Sequence, residues 1–304
     1  MFVHLKKSNK VIIFTTLLLL LAHSAIVFAQ ANTNDIHKFP ILTGPYVGQK
    51  PPGSTPELFA PGIISTKGYD ITPTFSPELD ELFFGSRPTE EGNDNKIYYS
   101  NQIDKIWQKP KVASFSSGAM EYEAQFSGNG KTVYFNRNNQ LFFSEKTPDG
   151  WSEAKNLKPP LSTGMCVAIA GNENIYFTAA RSNKYGIFYS ERNNNTYEDP
   201  ELIIPMASHP FVALDESYLI VDKYAFEDGK QVSSLYVCFK DSTGSWSSPV
   251  KFGDEINATG TELIAKVSPD GKYLFFQRKI NNNTDIYWVD AKIIEDIKMK
   301  ELIH

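Results

Sequence analysis

The stretch Thr261–Asp290, TELIAKVSPDGKYLFFQRKINNNTDIYWVD, constrains this chain more than any other, because its pattern returns along nearly the whole sequence. It predicts three strands. Glu262–Val267 comes first, Lys272–Arg278 follows across a Ser268-Pro269-Asp270-Gly271 turn, and Asp285–Val289 is last. Proline at the first central position of the turn presets φ, and Asp followed by Gly tolerates the reversal. The flanking runs are aromatic and β-branched and too short for helices. Aromatic residues reach 13%, with 15 Tyr and 21 Phe, as suits a protein made of sheet.

Aligned on the aromatic end of the second strand, the copies bring Phe84, Phe135, Phe177, Val221 and Phe276 into register, 42 to 55 residues apart. That is the length of one four-stranded propeller blade. A fourth strand is expected after four of the five copies, opened by Trp107, Trp151, Tyr197 or Trp246, with Pro110, Pro200 and Pro249 close behind. Proline fits an outer strand, which has one unpaired edge and can spare an N–H. The fifth copy lacks this segment, and Gly53–Leu58 carries the missing pattern. The expected fold is therefore all-β, a β-propeller of five four-stranded blades closed by an N-terminal strand near residues 54–60. The blades fall near 68–117, 118–162, 163–206, 207–257 and 258–290, within a single domain over 46–304. The tail after Lys292 is the competitor for that edge, or folds back as a short helix carrying Ile293, Ile294 and Ile297.

Lys6, Lys7 and Lys10 precede an apolar run, Val11 to Val27, and Val27-Phe28-Ala29 offers small residues where a signal peptidase reads. Residues 1–29 read as a cleaved signal peptide, with an uncleaved anchor as the alternative, and 30–45 as a flexible leader. No Cys follows the run, so a lipid anchor is not expected; the location implied is periplasmic or secreted. Cys166 and Cys238 lie in different copies and read as buried free thiols. The net charge of −5 gives no electrostatic case for nucleic acid.

The Phe75–Phe84 and Val267–Phe276 segments share an F-S-P-x-L/G-x-x-L-F-F type of pattern, each followed by an I-Y-Y-S type of strand. This resembles the WD40-like propeller repeat of the TolB-like family, over about residues 46–290. The leader GPYVGQKPPGSTPELFAPGIIS also resembles one that precedes such propellers in secreted bacterial proteins. The resemblance implies the propeller fold. Members range from envelope components to propeller domains of peptidases and sugar-active enzymes, so it implies no single activity. The sequence departs from the peptidases in having no hydrolase domain after the repeats, and from the Tol component in having no α/β domain before them.

In a propeller the first strand of each blade lines the central channel, and its start shares a face with the end of the second strand. The starts read Asp70, Glu121, Gly164, Ala207 and Glu262; two residues on stand Thr72, Glu123, Cys166, His209 and Ile264. The second-strand ends carry Arg87, Arg137, Arg181, Lys223 and Arg278. These charges either pair around the rim and hold blades together, or the cations, with Glu123 and His209, bind an anionic or polyhydroxyl ligand. A catalytic version places Asp70, Glu121 and Glu262 as acid and base across a glycosidic bond. No ligand spacing argues for a metal, no motif for a cofactor, and no nucleophile elbow, P-loop or HExxH is present. Trp107, Trp151 and Trp246 read as packing between blades before sugar stacking. The implied partner is a protein, a peptide or a glycan at the channel mouth of a monomer that meets the membrane only through export, with a glycoside hydrolase or lyase as the alternative.

Overall fold

In the second strands of the repeats, runs such as Leu82, Phe83 and Phe84 are buried at every residue rather than at alternate ones. Sheets stacked face to face have both surfaces covered, which calls for such continuous apolar runs. The computed structural model describes residues 39–87, 95–194, 196–281 and 283–301; the predicted signal segment and most of the loop after Arg87 lie outside them. All the elements below belong to the compact unit Ile41–His304. Among the described residues no helix is long and apolar enough to cross a membrane.

The strands fall into five antiparallel groups among the described residues, here called units 1 to 5. Their inner strands are Tyr69–Phe75, Glu121–Phe126, Met165–Ile169, Ser208–Val212 and Leu263–Val267. The second strands are Glu81–Arg87, Thr132–Arg137, Ile175–Arg181, Tyr218–Glu227 and Tyr273–Ile280, and the third are Lys96–Ile103, Gln140–Thr147, Lys184–Ser190, Lys230–Phe239 and Asn283–Asp290.

The aromatic segments differ from expectation. Ile106–Trp107 and Gly150–Trp151 fold back on the far ends of the third strands, Thr196–Tyr197 pairs with Arg192–Asn193, and Trp246 bridges to Lys240. The outer strands begin only afterwards, at Lys111–Val112, Lys155–Asn156, Glu201–Pro205 and Val250–Lys251. The aromatic ring turns the chain rather than opening the strand, and it fills the seam to the preceding unit. Trp151 packs 5.3 Å from Phe83, and Trp246 lies 6.1 Å from Tyr176.

Glu57–Leu58 pairs with the third strand of unit 5, Glu57 opposite Trp288 and Leu58 opposite Tyr287. Two further backbone bonds extend the pairing, Phe59 N–H to Ile286 at 2.8 Å and Asp290 N–H to Gly53 at 3.0 Å. Phe59 is fully buried, with Phe275 and Trp288 each 5.0 Å away. The predicted leader ends earlier than residue 45. Thr43 bridges to Ile106, and the Trp107 indole donates to the Gly44 carbonyl at 2.7 Å. The tail is a helix, Lys292–Glu301, whose Ile294 and Ile297 are buried against a cluster that includes Phe211, Leu274 and Val289.

A β-bulge interrupts the inner strand of every unit close to its start. Glu123, Cys166, His209 and Ile264 sit there with φ between 43° and 53°, a conformation uncommon outside glycine. Ile264 does so with no polar side chain, so the bulge belongs to the blade and not to any one chemistry. In units 3, 4 and 5 its turned backbone N–H is claimed by the preceding unit. Cys166 N–H donates to Asn136 Oδ1 (3.4 Å), His209 N–H to Thr178 Oγ1 (3.0 Å) and Ile264 N–H to Asp222 Oδ1 (3.2 Å). Those acceptors occupy one place in the repeat, directly after the aligned aromatic. In unit 1 the same place is Gly85, where an added Cβ would meet the Ile71 side chain at 2.8 Å.

Candidate functional site

The three rim acids are fully buried and face their own loops. Asp70 accepts from Thr66 N–H at 2.6 Å and from Ser86 Oγ at 2.7 Å. Glu121 accepts from Ser117 N–H at 2.9 Å, from the Ser116 hydroxyl and from Arg137 Nε at 2.8 Å. Glu262 accepts from Thr259 N–H and Thr261 N–H, both at 3.0 Å, and from Arg278 Nε at 2.9 Å. Each carboxylate ties the connection between two units to the second strand of its own unit. Burial pushes the Asp70 carboxyl up to about 6, against the hydrogen bonds from Thr66 and Ser86.

The five cations do not form one ring. Strand register sets Glu121 opposite Arg137, but Asp70 opposite Ser86, with Arg87 one residue further along. Arg137 and Arg278 also donate to backbone carbonyls, Arg137 to Phe115 at 2.7 Å and Arg278 to Ile256 at 2.8 Å. Arg181 donates to Pro160 and Thr163 carbonyls, Arg87 lies over the Tyr69 ring at 5.2 Å, and Lys223 over Tyr236 at 5.9 Å.

The bulge residues behave differently. Glu123, Cys166 and His209 come from three successive units and bring a carboxylate oxygen, a sulfur and an imidazole nitrogen within 4.8 Å of one another. His209 Nε2 lies 3.6 Å from Glu123 Oε1, and Nδ1 lies 2.7 Å from Asp222 Oδ1. Burial opposes a charge on this imidazole, but Asp222 and Glu123 hold its pKa well above the usual histidine range. Burial pushes the Cys166 thiol up to about 12, with the Glu123 charge acting in the same direction. Cys166 and Cys238 are both buried and free, as expected. Lys266 enters from unit 5, donates to the Ala124 carbonyl at 2.6 Å, and is pushed down to about 8 by burial. Glu123 and His209 were legible as channel residues. Asp222 and Lys266 were not, because they follow from where the bulges turn the chain.

Two cavities flank the channel. The smaller, about 260 Å³, lies at the end expected to bind ligand, between Tyr69, Tyr224, Gln277 and Lys279. Burial pushes the Tyr69 and Tyr224 phenols up. The larger, about 570 Å³, lies at the opposite end, lined by Pro73, Leu214, Lys266, Asp270 and the first turn of the C-terminal helix.

No protein-family model matches the chain, and no curated protein matches it by sequence. Among solved structures, the catalytic domain of a GH62 α-L-arabinofuranosidase from Coprinopsis cinerea is similar with a TM-score of 0.51 at 10% identity, over 79% of this chain and 97% of that one. TolB from Acinetobacter baumannii is similar at 0.49 and 13% identity, over 75% of this chain and 53% of that one, so the chain spans about half of the TolB length. An endo-arabinase from Bacteroides thetaiotaomicron is similar at 0.47 and 13% identity, over 75% of this chain and 94% of that one. At such identities a likeness speaks for fold and not for activity. Taken with the stacked four-stranded sheets, the likeness to the Coprinopsis domain identifies the chain as a β-propeller.

Proposed function

We propose that this chain is an exported propeller binding module that takes a protein or peptide segment, or a glycan, at the mouth formed by the inner-strand starts and second-strand ends. One observation carries the reading: apolar side chains stand exposed on the loops and strand ends at that mouth. They are Met120, Met206, Tyr224, Phe226 and Ile280, with Met206 68% and Phe226 78% exposed. Methionine and aromatic residues at exposed tips supply contact area that adapts to a partner, and this composition favours a peptide over a sugar. The export element of the reading rests on the N-terminal sequence pattern alone.

The carbohydrate-active alternative needs two carboxylates facing one bond, about 5–5.5 Å apart for retention or 6.5–9.5 Å for inversion. Asp70, Glu121 and Glu262 instead have their oxygens engaged by loop N–H groups, hydroxyls and arginines, which weighs against that use. The test is a peptide and glycan binding screen of residues 30–304, with release of reducing sugar from arabinan and xylan assayed in parallel. Binding that falls at least tenfold in Phe226→Ser or Met206→Ser, but not in Leu214→Ser at the opposite end, supports the module. Sugar release, or binding lost only in Leu214→Ser, overturns it.

A further inference from the structure

We propose that Glu123, Cys166 and His209 form a site for one divalent transition-metal ion of the zinc type inside the channel. The inference is independent of the ligand reading above.

Three observations carry it. The donors come from three different units, yet their ligand atoms lie within 4.8 Å of one another. A tetrahedral zinc ion with bonds of about 2.0–2.3 Å holds its ligands roughly 3.3–3.7 Å apart, and the 3.6 Å between His209 Nε2 and Glu123 Oε1 already meets this. The Cys166 sulfur lies within 4.8 Å of both. Next, Asp222 takes the other imidazole nitrogen at 2.7 Å, which leaves Nε2 facing Glu123. A carboxylate behind a ligating histidine is the usual support of such a site, fixing its tautomer and ring orientation. Last, Asp222 is fully buried and its Oδ2 has no hydrogen-bond partner among the described residues, a costly arrangement for a carboxylate. A dication on the far side of the His209 ring would give that carboxylate a positive partner.

The donor set selects the metal class. A thiolate, an imidazole and a carboxylate together suit zinc and its neighbours, whereas calcium and magnesium take oxygen ligands. The His209 side chain is 18% exposed, so the site has a path to solvent. Three protein ligands leave a fourth position for water or a ligand group, as in zinc sites that act on what they bind rather than only brace the fold.

The experiment uses tag-free residues 30–304, stripped with chelator and titrated with Zn²⁺ and separately with Co²⁺. Expected are one ion per chain by elemental analysis, a near-ultraviolet thiolate-to-cobalt absorption band, and a melting temperature that rises with metal concentration. Cys166→Ser abolishes the band and Cys238→Ser, at the other buried thiol, keeps it. Glu123→Gln and Asp222→Asn each weaken Co²⁺ binding about 10–100-fold. Should Cys166→Ser fold poorly, the wild-type band and the Glu123→Gln titration still decide the matter. No band with Cys166 intact, a band that survives in a folded Cys166→Ser protein, or equal affinity in Glu123→Gln overturns the proposal.

Discussion

Asp70 accepts hydrogen bonds and yet holds its proton more tightly in the fold than a free carboxyl does, because burial raises it from 3.8 to about 6 and Asp285 adds to the effect. A folded-state pKa above the unfolded one means the native protein binds the proton more tightly. The group therefore disfavours the fold increasingly as pH rises from about 4 to 6, by up to roughly 3 kcal/mol. Asp70→Asn keeps an oxygen for the Thr66 N–H and removes the titration. Its melting temperature is expected to gain on the wild type across that interval and hold the gain above it; parallel pH curves would refute this. The rim arginines lead to a second prediction. Arg278→Ala strands Glu262 in a buried place, and breaking a buried pair costs about 3–5 kcal/mol, equivalent to a drop on the order of 10 °C. Ligand binding unchanged at temperatures where the variant is folded assigns the pair to the fold. Binding lost with little change in melting assigns it to the ligand.

At the scale of elements, the pairing of Glu57–Leu58 with Asn283–Asp290 joins early and late parts of the chain. Gln49 clamps the segment, its amide donating to the Leu58 carbonyl at 2.9 Å and accepting from Ala60 N–H at 2.6 Å. If this pairing closes the ring, deletion of residues 30–60 costs several hydrogen bonds at about 0.5–1.5 kcal/mol each. It also uncovers Trp288 and forfeits Phe59, worth about 1.5–3 kcal/mol, and frees a strand edge that invites aggregation. Expected are insoluble protein, or a large loss of melting temperature, for the 30–60 deletion and almost no effect for deletion of 30–40. Equal melting of the two would place closure elsewhere. Trimming as far as residue 44 is now expected to cost something too, since Gly44 holds the Trp107 indole.

Across the whole molecule, units 2, 3 and 4 are each registered on the next by one polar side chain that reaches a bulge N–H: Asn136, Thr178 and Asp222 in turn. Thr178→Val keeps the shape and orphans the buried His209 N–H, at about 1–3 kcal/mol. A fall of several degrees is expected, against none for the exposed Thr196→Val. No difference between them would show that packing alone sets the register. The sequence by itself determined the all-β strand-turn-strand units and the N-terminal segment that pairs with Asn283–Asp290, because turn chemistry and apolar runs are local signals that survive in each copy. It also picked out Asp70, Glu121 and Glu262 at one place of the repeat and Glu123 and His209 at another, since position within the repeat implies position in the blade. Tertiary structure decided what those groups do. Whether a carboxylate meets an arginine, a serine or a loop N–H depends on a one-residue register, as Arg87 and Ser86 illustrate. The meeting of Glu123, Cys166 and His209 depends on bulges in three separate sheets, 43 and 43 residues apart in the chain and written in no local motif.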